Sequence, residues 1–303
     1  MLTQETISRL KSEIAGQVRL DESMSLHTSF HIGGPADALV VPADREDVRK
    51  VLRIAREEKT PLTVVGNGSN LLVRDKGIRG IVLKLGNALK HWEQNDGRFV
   101  FGSGVSLAQC CRIIGDAGYT GMEFAVGIPG SLGGAVYMNA GAYDGEMKDA
   151  VVSVQVMTRS GDVKTLSRDD LQFAYRHSAL QDSDVIVLEA ELLVKPGDKA
   201  AIQAKMDDFS QRRISKQPLD VPSAGSTFKR PEGRFVGQMV EESGLKGFRI
   251  GGAEVSVKHA GFIVNVDHAT ASDVLQLIEY IQKKILENYN VQLIPEVLVL
   301  GEV

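Results

Sequence analysis

Apolar residues recur along the chain at two periods, and the alternation between them lays out the elements. At helical spacing, residues 3–15 form an amphipathic stretch, and "REDVRKVLRIAREE" puts Val48, Leu52 and Ile54 or Ala55 on one face. "SLAQCCRIIGDAG" predicts a helix with Ser106 as N-cap and Gly118 as its stop. A more polar helix is expected over "DKAAIQAKMDDFSQRRIS", and a long one over "TASDVLQLIEYIQKKILENYN", capped by Thr270 or Ser272. Between them lie short apolar runs that read as strands: "ADALVVP" ending at Pro42, "LTVV", "LLV", "GIVLKLG", "RFVFGSG", "VIVLEAELLV", the pair in "VSVKHAGFIVNV", and "VQLIPEVLVLG". "AVVSVQVMTRSGDVKTLS" reads as a hairpin turning at Ser160-Gly161. The fold class predicted by this pattern is α+β.

The 31 glycines are clustered, which changes the picture, because glycine lets backbone amides approach a ligand. "VVGNGSNLLV" (64–73) is not a Rossmann fingerprint: the third glycine is missing, and strand rather than helix follows the turn. Gly66, Asn67, Gly68, Ser69 and Asn70 can still form a concave run of amides around a phosphate, with a plain tight turn as the alternative. "VGIPGSLGGAVYMNAG" (126–141) predicts a turn at Pro129-Gly130-Ser131 and a helix from Leu132 to Met138. Gly133 and Gly134 in its first turn each cost about 1 kcal/mol against alanine. A ligand lying flush on that backbone, or close helix packing, explains them.

A length of 303 residues accommodates two or three domains. The net charge of −4 gives no general attraction to nucleic acid or membrane, so an anionic ligand must meet local cations. No apolar run nears the roughly 18 residues of a membrane helix, and residues 1–16 lack a signal-peptide core. Cys110 and Cys111 are adjacent and expected to be reduced. His31, His177 and His259 form no spaced ligand set, so no metal site is expected. A cytoplasmic enzyme fits these features, and a monomer acting on a small molecule is expected.

In order along the chain stand "TSFHIGGPA", "VVGNGSNLLV", "GIPGSLGGAVYMNAGAY", "YRHS", "AGSTFKRP", "ESGLKGFRIGGAEVS" and "HAGFIVN". Together they closely resemble the UDP-N-acetylenolpyruvoylglucosamine reductases, flavoenzymes that make UDP-N-acetylmuramate for bacterial peptidoglycan. The resemblance implies a vanillyl-alcohol-oxidase-type FAD-binding fold of two subdomains plus a separate α+β substrate-binding domain. The corresponding boundaries are 1–198 for the FAD-binding region (roughly 1–85 and 86–198), 199–290 for the substrate domain, and 291–303 for a strand returning to the first region. It implies non-covalent FAD held by Gly66, Asn67, Gly68, Ser69 and Asn70 and by Gly127, Ser131, Gly133 and Gly134, with NADPH as reductant. Few residues separate Tyr175-Arg176 from "VIVLEAELLV", so the chain resembles the shorter type, without the insertion that supplies a tyrosine over the substrate.

The implied reaction moves hydride from N5 of reduced FAD to the methylene of an enolpyruvyl ether. Charge then spreads into the substrate carboxylate, and the adjacent carbon takes a proton. Arg176 is the implied partner of that carboxylate, because a guanidinium stays charged and fits it. Glu296, one residue after a proline in an apolar strand, is implied to join Arg176 there in protonated form. Ser226 is the implied proton donor; it stands in no G-x-S-x-G elbow. Tyr175, Arg213, Lys216, Lys229 and Arg230 are expected substrate contacts, with Arg212, Arg249 and Lys258 as further basic candidates. The competing reading keeps the fold and makes the chain an FAD-dependent alcohol or sugar oxidase, with His31 as a point of covalent attachment. Flavin that stays with acid-precipitated protein would mark that reading. A colourless protein would mark a third, a nucleotide-sugar binding protein without catalysis.

Overall fold

A computed structural model describes residues 2–303. The chain divides into two compact units. The first comprises the residues up to Leu20, Ala38–Asn67 and Gly80–Arg213; the second comprises Asp21–Asp37, Gly68–Arg79 and Ile214–Val303. Three segments of sequence therefore build each unit. The helix Lys199–Lys216, expected to open a substrate domain, ends at the change from one unit to the other.

Two apolar cores fill the first unit. One packs the helix Arg45–Glu57 with Val48, Val51, Leu52, Ile54 and Ala55 inward, together with Leu10, Val40, Ile81 and Leu83. These residues serve a four-stranded sheet in the order Gln17–Ser23, Pro35–Val41, Ile78–Lys84, Leu62–Val65. Asp47, fully buried, ties this core to the chain entering it by accepting from the amides of Ala15, Gly16 and Ala43. Burial raises the pKa of this carboxyl, but the three amide donors outweigh it and leave the pKa below the usual range.

The other core lies on a five-stranded sheet in the order Val163–Ser167, Val151–Thr158, Val185–Leu193, Arg98–Gly102, Trp92–Asn95. The predicted hairpin closes through Gly161, whose φ is +94° and whose amide donates to Thr158 O at 2.9 Å. The helix Leu107–Asp116 packs here, capped by Ser106, whose Oγ accepts from the amide of Gln109. It buries both cysteines, and burial pushes the Cys111 thiol up to about 12.

The second unit has its own core, with Phe30, Leu72, Phe228, Met239, Val255, Ile263, Leu277 and Ile281. The helix Ala271–Tyr289 carries a capping box: Thr270 Oγ1 accepts from Asp273 N at 3.0 Å and Asp273 returns the bond to Thr270 N at 2.9 Å. Thr270, rather than Ser272, is thus the cap. Ala253–Val255 and Ile263–Asn265 pair antiparallel; the second strand lies inside "VSVKHAGFIVNV" as expected, while the first ends at Val255, where that stretch begins. Leu298–Leu300 pairs in parallel with Leu71–Val73, the strand that follows the first glycine loop. Among the described residues no helix is long and apolar enough to cross a membrane.

Candidate active site

Within the first unit, Gly66 of the first glycine loop meets Ser131 of the second. A β-carbon on Gly66 would lie 2.5 Å from Ser131 Oγ, so the first loop is seated against the residue that caps the helix Leu132–Tyr137. Ser131 is held from both sides by the segment 103–107: Leu107 N donates to Gly130 O at 3.1 Å, Leu132 N to Val105 O at 2.8 Å and Gly133 N to Ser103 O at 2.9 Å. A β-carbon at 133 would meet Ser103 Cβ at 2.8 Å. The tightness at Gly133 therefore comes from Ser103, a turn residue and not a second helix. Gly134 meets only Ser131 Oγ, at 3.5 Å.

The amides of Gly66, Asn67 and Gly68 have no hydrogen-bond partner among the described residues. Gly68 takes φ +69°, and a β-carbon there would strike His27 O at 2.1 Å, so the turn needs glycine. Ser103 Oγ, beneath Gly133, is buried without a partner among the described residues. Consecutive open amides on one loop can only donate, and the unsatisfied hydroxyl under the other can donate as well. Donors are what the diphosphate of a dinucleotide requires. Gly127 of the second loop is covered by Arg213, whose Cδ would lie 2.7 Å from a β-carbon there. Burial lowers the pKa of that guanidinium. Arg213, expected at the substrate, lies against the second glycine loop.

Gly66→Ala is expected to displace the Ser131 hydroxyl and break the helix cap, since only that side-chain atom can yield. FAD affinity should fall by about fivefold or more, the equivalent of the roughly 1 kcal/mol or more that a lost cap costs. Fluorescence titration of the apoprotein reads it, and unchanged affinity would refute the role given to this contact.

Arg176 lies in the same unit, at the corner of a tight turn in which Ala174 and His177 exchange backbone hydrogen bonds of 3.0 and 3.1 Å. Its φ is +53°, a conformation that favours glycine or asparagine. Nη2 donates to Gly141 O at 2.8 Å, and the guanidinium carbon lies 5.0 Å from the centre of the Tyr175 ring, which is half exposed.

Ser226 and Glu296 belong to the second unit, and the fold brings their backbones together. Thr227, next to the serine, is fixed at three points: its amide donates to Gly261 O at 2.9 Å, its hydroxyl accepts from Ile263 N at 3.0 Å, and its carbonyl accepts from Glu296 N at 2.8 Å. Phe228 is buried and bridges to Pro295, while Lys229 N donates to Ile294 O. Ser226 is exposed, on the free side of this fixed segment, after Gly225 at φ +79°. Asn70 of the first glycine loop joins them: its Nδ2 donates to Glu296 O at 3.1 Å and its carbonyl accepts from Leu298 N at 2.9 Å. Arg230 stacks on the exposed Phe235 ring at 4.0 Å, and Lys216 ends its helix exposed.

The arrangement adds residues that the sequence did not single out. Ser103 carries no motif. Asn139 does carry a signal, an asparagine just past a predicted helix, where a left-handed residue is common. It is fully buried at φ +43°.

The FAD-binding domain family matches residues 36–167, which contain both glycine loops. With the donor-lined cradle, that match makes the chain an FAD-binding protein. The family of the UDP-N-acetylenolpyruvoylglucosamine reductase C-terminal domain matches residues 217–300. The UDP-N-acetylenolpyruvoylglucosamine reductase of Caldanaerobacter subterraneus subsp. tengcongensis is 48% identical over 287 residues, 95% of either chain. That of Staphylococcus aureus is 44% identical over 303 residues, 100% of this chain and 98% of its own. The crystal structure of UDP-N-acetylenolpyruvylglucosamine reductase from Thermus caldophilus superposes with a TM-score of 0.81 at 33% identity, covering 95% of this chain and 100% of that one. The chain belongs to the UDP-N-acetylenolpyruvoylglucosamine reductase family.

Proposed function

We propose that this protein reduces the enolpyruvyl ether of UDP-N-acetylenolpyruvoylglucosamine to UDP-N-acetylmuramate, a step of peptidoglycan synthesis, with NADPH as the electron source. The observation that carries the reading is the backbone bond from Glu296 to Thr227. It sets Ser226 and Glu296, the two groups to which this reading gives catalytic roles, on adjoining segments. FAD, held non-covalently by residues 66–70 and by Gly127, Ser131, Gly133 and Gly134, supplies the hydride-transfer chemistry.

The protein's own groups deal with charge and proton. Reduction at the methylene carbon leaves negative charge on the neighbouring carbon and its carboxylate. Arg176 neutralises the carboxylate, and its fixed turn means that little side-chain reorganisation accompanies the charge development. Glu296, protonated, donates a hydrogen bond to the same group. Ser226 gives its hydroxyl proton to the carbon beside the carboxylate and recovers one from solvent. An alcohol is a weak acid, but a carbanionic acceptor is a strong base, so the transfer runs downhill. Tyr175, Lys216, Lys229 and Arg230 contact the UDP-sugar.

Anaerobic addition of NADPH should bleach the flavin absorbance, and the enolpyruvyl substrate should then restore it with formation of UDP-N-acetylmuramate. Flavin that NADPH reduces but the substrate leaves reduced would refute the reading.

A further inference from the structure

Five non-glycine residues take left-handed backbone conformations in two loops of the first unit: Asn139, Tyr143 and Asp144 in one, and Gln172 and Arg176 in the other. Such conformations cost on the order of 1 kcal/mol each and persist where surrounding contacts impose them. One buried side chain supplies contacts to both loops. Asn139 Nδ2 donates to Glu146 Oε2 at 2.7 Å and to Ala174 O at 2.9 Å, and its Oδ1 accepts from Lys148 N at 2.9 Å. Both amide protons are thereby used, each on a different loop.

Ala174 is the residue from which the turn to Arg176 starts, and Gly141, which receives the Arg176 guanidinium, lies in the loop that Asn139 holds through Glu146 and Lys148. Gly141–Ala142 and Gly145–Glu146 pair antiparallel, so anchoring Glu146 also anchors the Gly141 carbonyl. Gln181 completes the frame from the other side, its Nε2 donating to Arg176 O at 3.2 Å and to Tyr137 O at 2.9 Å. The turn and the acceptor that together aim the guanidinium are referred to one buried amide.

We infer that Asn139 is the positioning residue for Arg176: it touches no reacting atom, and it sets where the guanidinium is held by clamping the Ala174–His177 turn to the Gly141–Glu146 hairpin. The inference rests on the reading of Arg176 as the partner of the substrate carboxylate.

Two variants separate this role from plain stability. Asn139→Gly keeps the left-handed backbone and removes all three bonds. Asn139→Asp keeps the shape and the acceptor for Lys148 N but cannot donate to Ala174 O. In FAD-loaded Asn139→Gly, NADPH should reduce the flavin within about twofold of the parent rate, while kcat for the enolpyruvyl substrate falls about 100-fold, as expected for a displacement near 1 Å. Calorimetric Kd for the carboxylate-bearing product should rise in parallel. If Asn139→Gly fails to retain FAD, Asn139→Asp carries the same test. The deciding comparison is the double variant with Arg176→Ala, which should be no slower than Arg176→Ala alone, because a positioning residue has nothing left to position. Independent, multiplying losses would overturn the inference, as would full activity in Asn139→Gly. A fully active Arg176→Ala would instead refute the role of the arginine itself.

Discussion

Ser226→Ala is expected to separate the two halves of the catalytic cycle. Reduction of the flavin by NADPH should keep a near-normal rate, because no proton from Ser226 is used in it. Reoxidation by the enolpyruvyl substrate should fall by at least the 10²- to 10⁴-fold that general acid catalysis contributes. Stability should change by less than about 0.5 kcal/mol, because the serine is exposed and its hydroxyl makes no bond among the described residues. The neighbour holds the segment instead: Thr227 carries the bonds to Gly261, Ile263 and Glu296. Stopped-flow absorbance measures both half-reactions, and thermal melting measures the fold. Equal losses in the two half-reactions would remove the serine from its assigned role.

At Arg176 the expectation is loss of activity at nearly constant stability. Arg176→Gly relieves a left-handed φ of +53° and gives up the bond to Gly141 O. The strain relieved and the bond lost are each on the order of 1 kcal/mol, so the melting free energy should move by no more than about that amount. The reaction, in contrast, loses the cation that balances charge developing on the substrate carboxylate. Removing one such preorganised group costs about 10²- to 10³-fold in kcat. Arg176→Lys should recover only part of this, since an ammonium keeps the charge and loses the two-pronged geometry. If KM alone rose while kcat held, Arg176 would bind substrate without serving the chemical step.

Much of this architecture was legible in the residue pattern, and the exceptions have physical causes. Helices whose caps are written in side chains, at Ser106, Ser131 and Thr270, begin at those residues. The strand Gln17–Ser23 escaped notice because most of its side chains face solvent, and Trp92–Asn95 is exposed at every position, so neither shows an alternating apolar signal. The helix Val236–Glu242 is short and begins after Phe235, which makes no side-chain cap. In the site, the glycine loops announced themselves. Gly133 was read towards a ligand, yet its neighbour is Ser103, a contact that no local motif encodes. Nor does sequence betray an arginine at a turn corner that suits glycine, or that the amide of Asn139, whose place past a helix is legible, reaches that turn. Such features arise where segments distant along the chain are pressed together, as Asn70 is with Glu296.

That last junction also orders events in time. The carbonyl of Asn70 is satisfied by the amide of Leu298, and Leu71–Val73 finds its parallel partner only in Leu298–Leu300. A nascent polypeptide on the ribosome carries the first glycine loop long before the strand that braces it is synthesised. Contacts of such sequence separation close late. The bracing of the first glycine loop is thus completed only after residues 298–300 have been made.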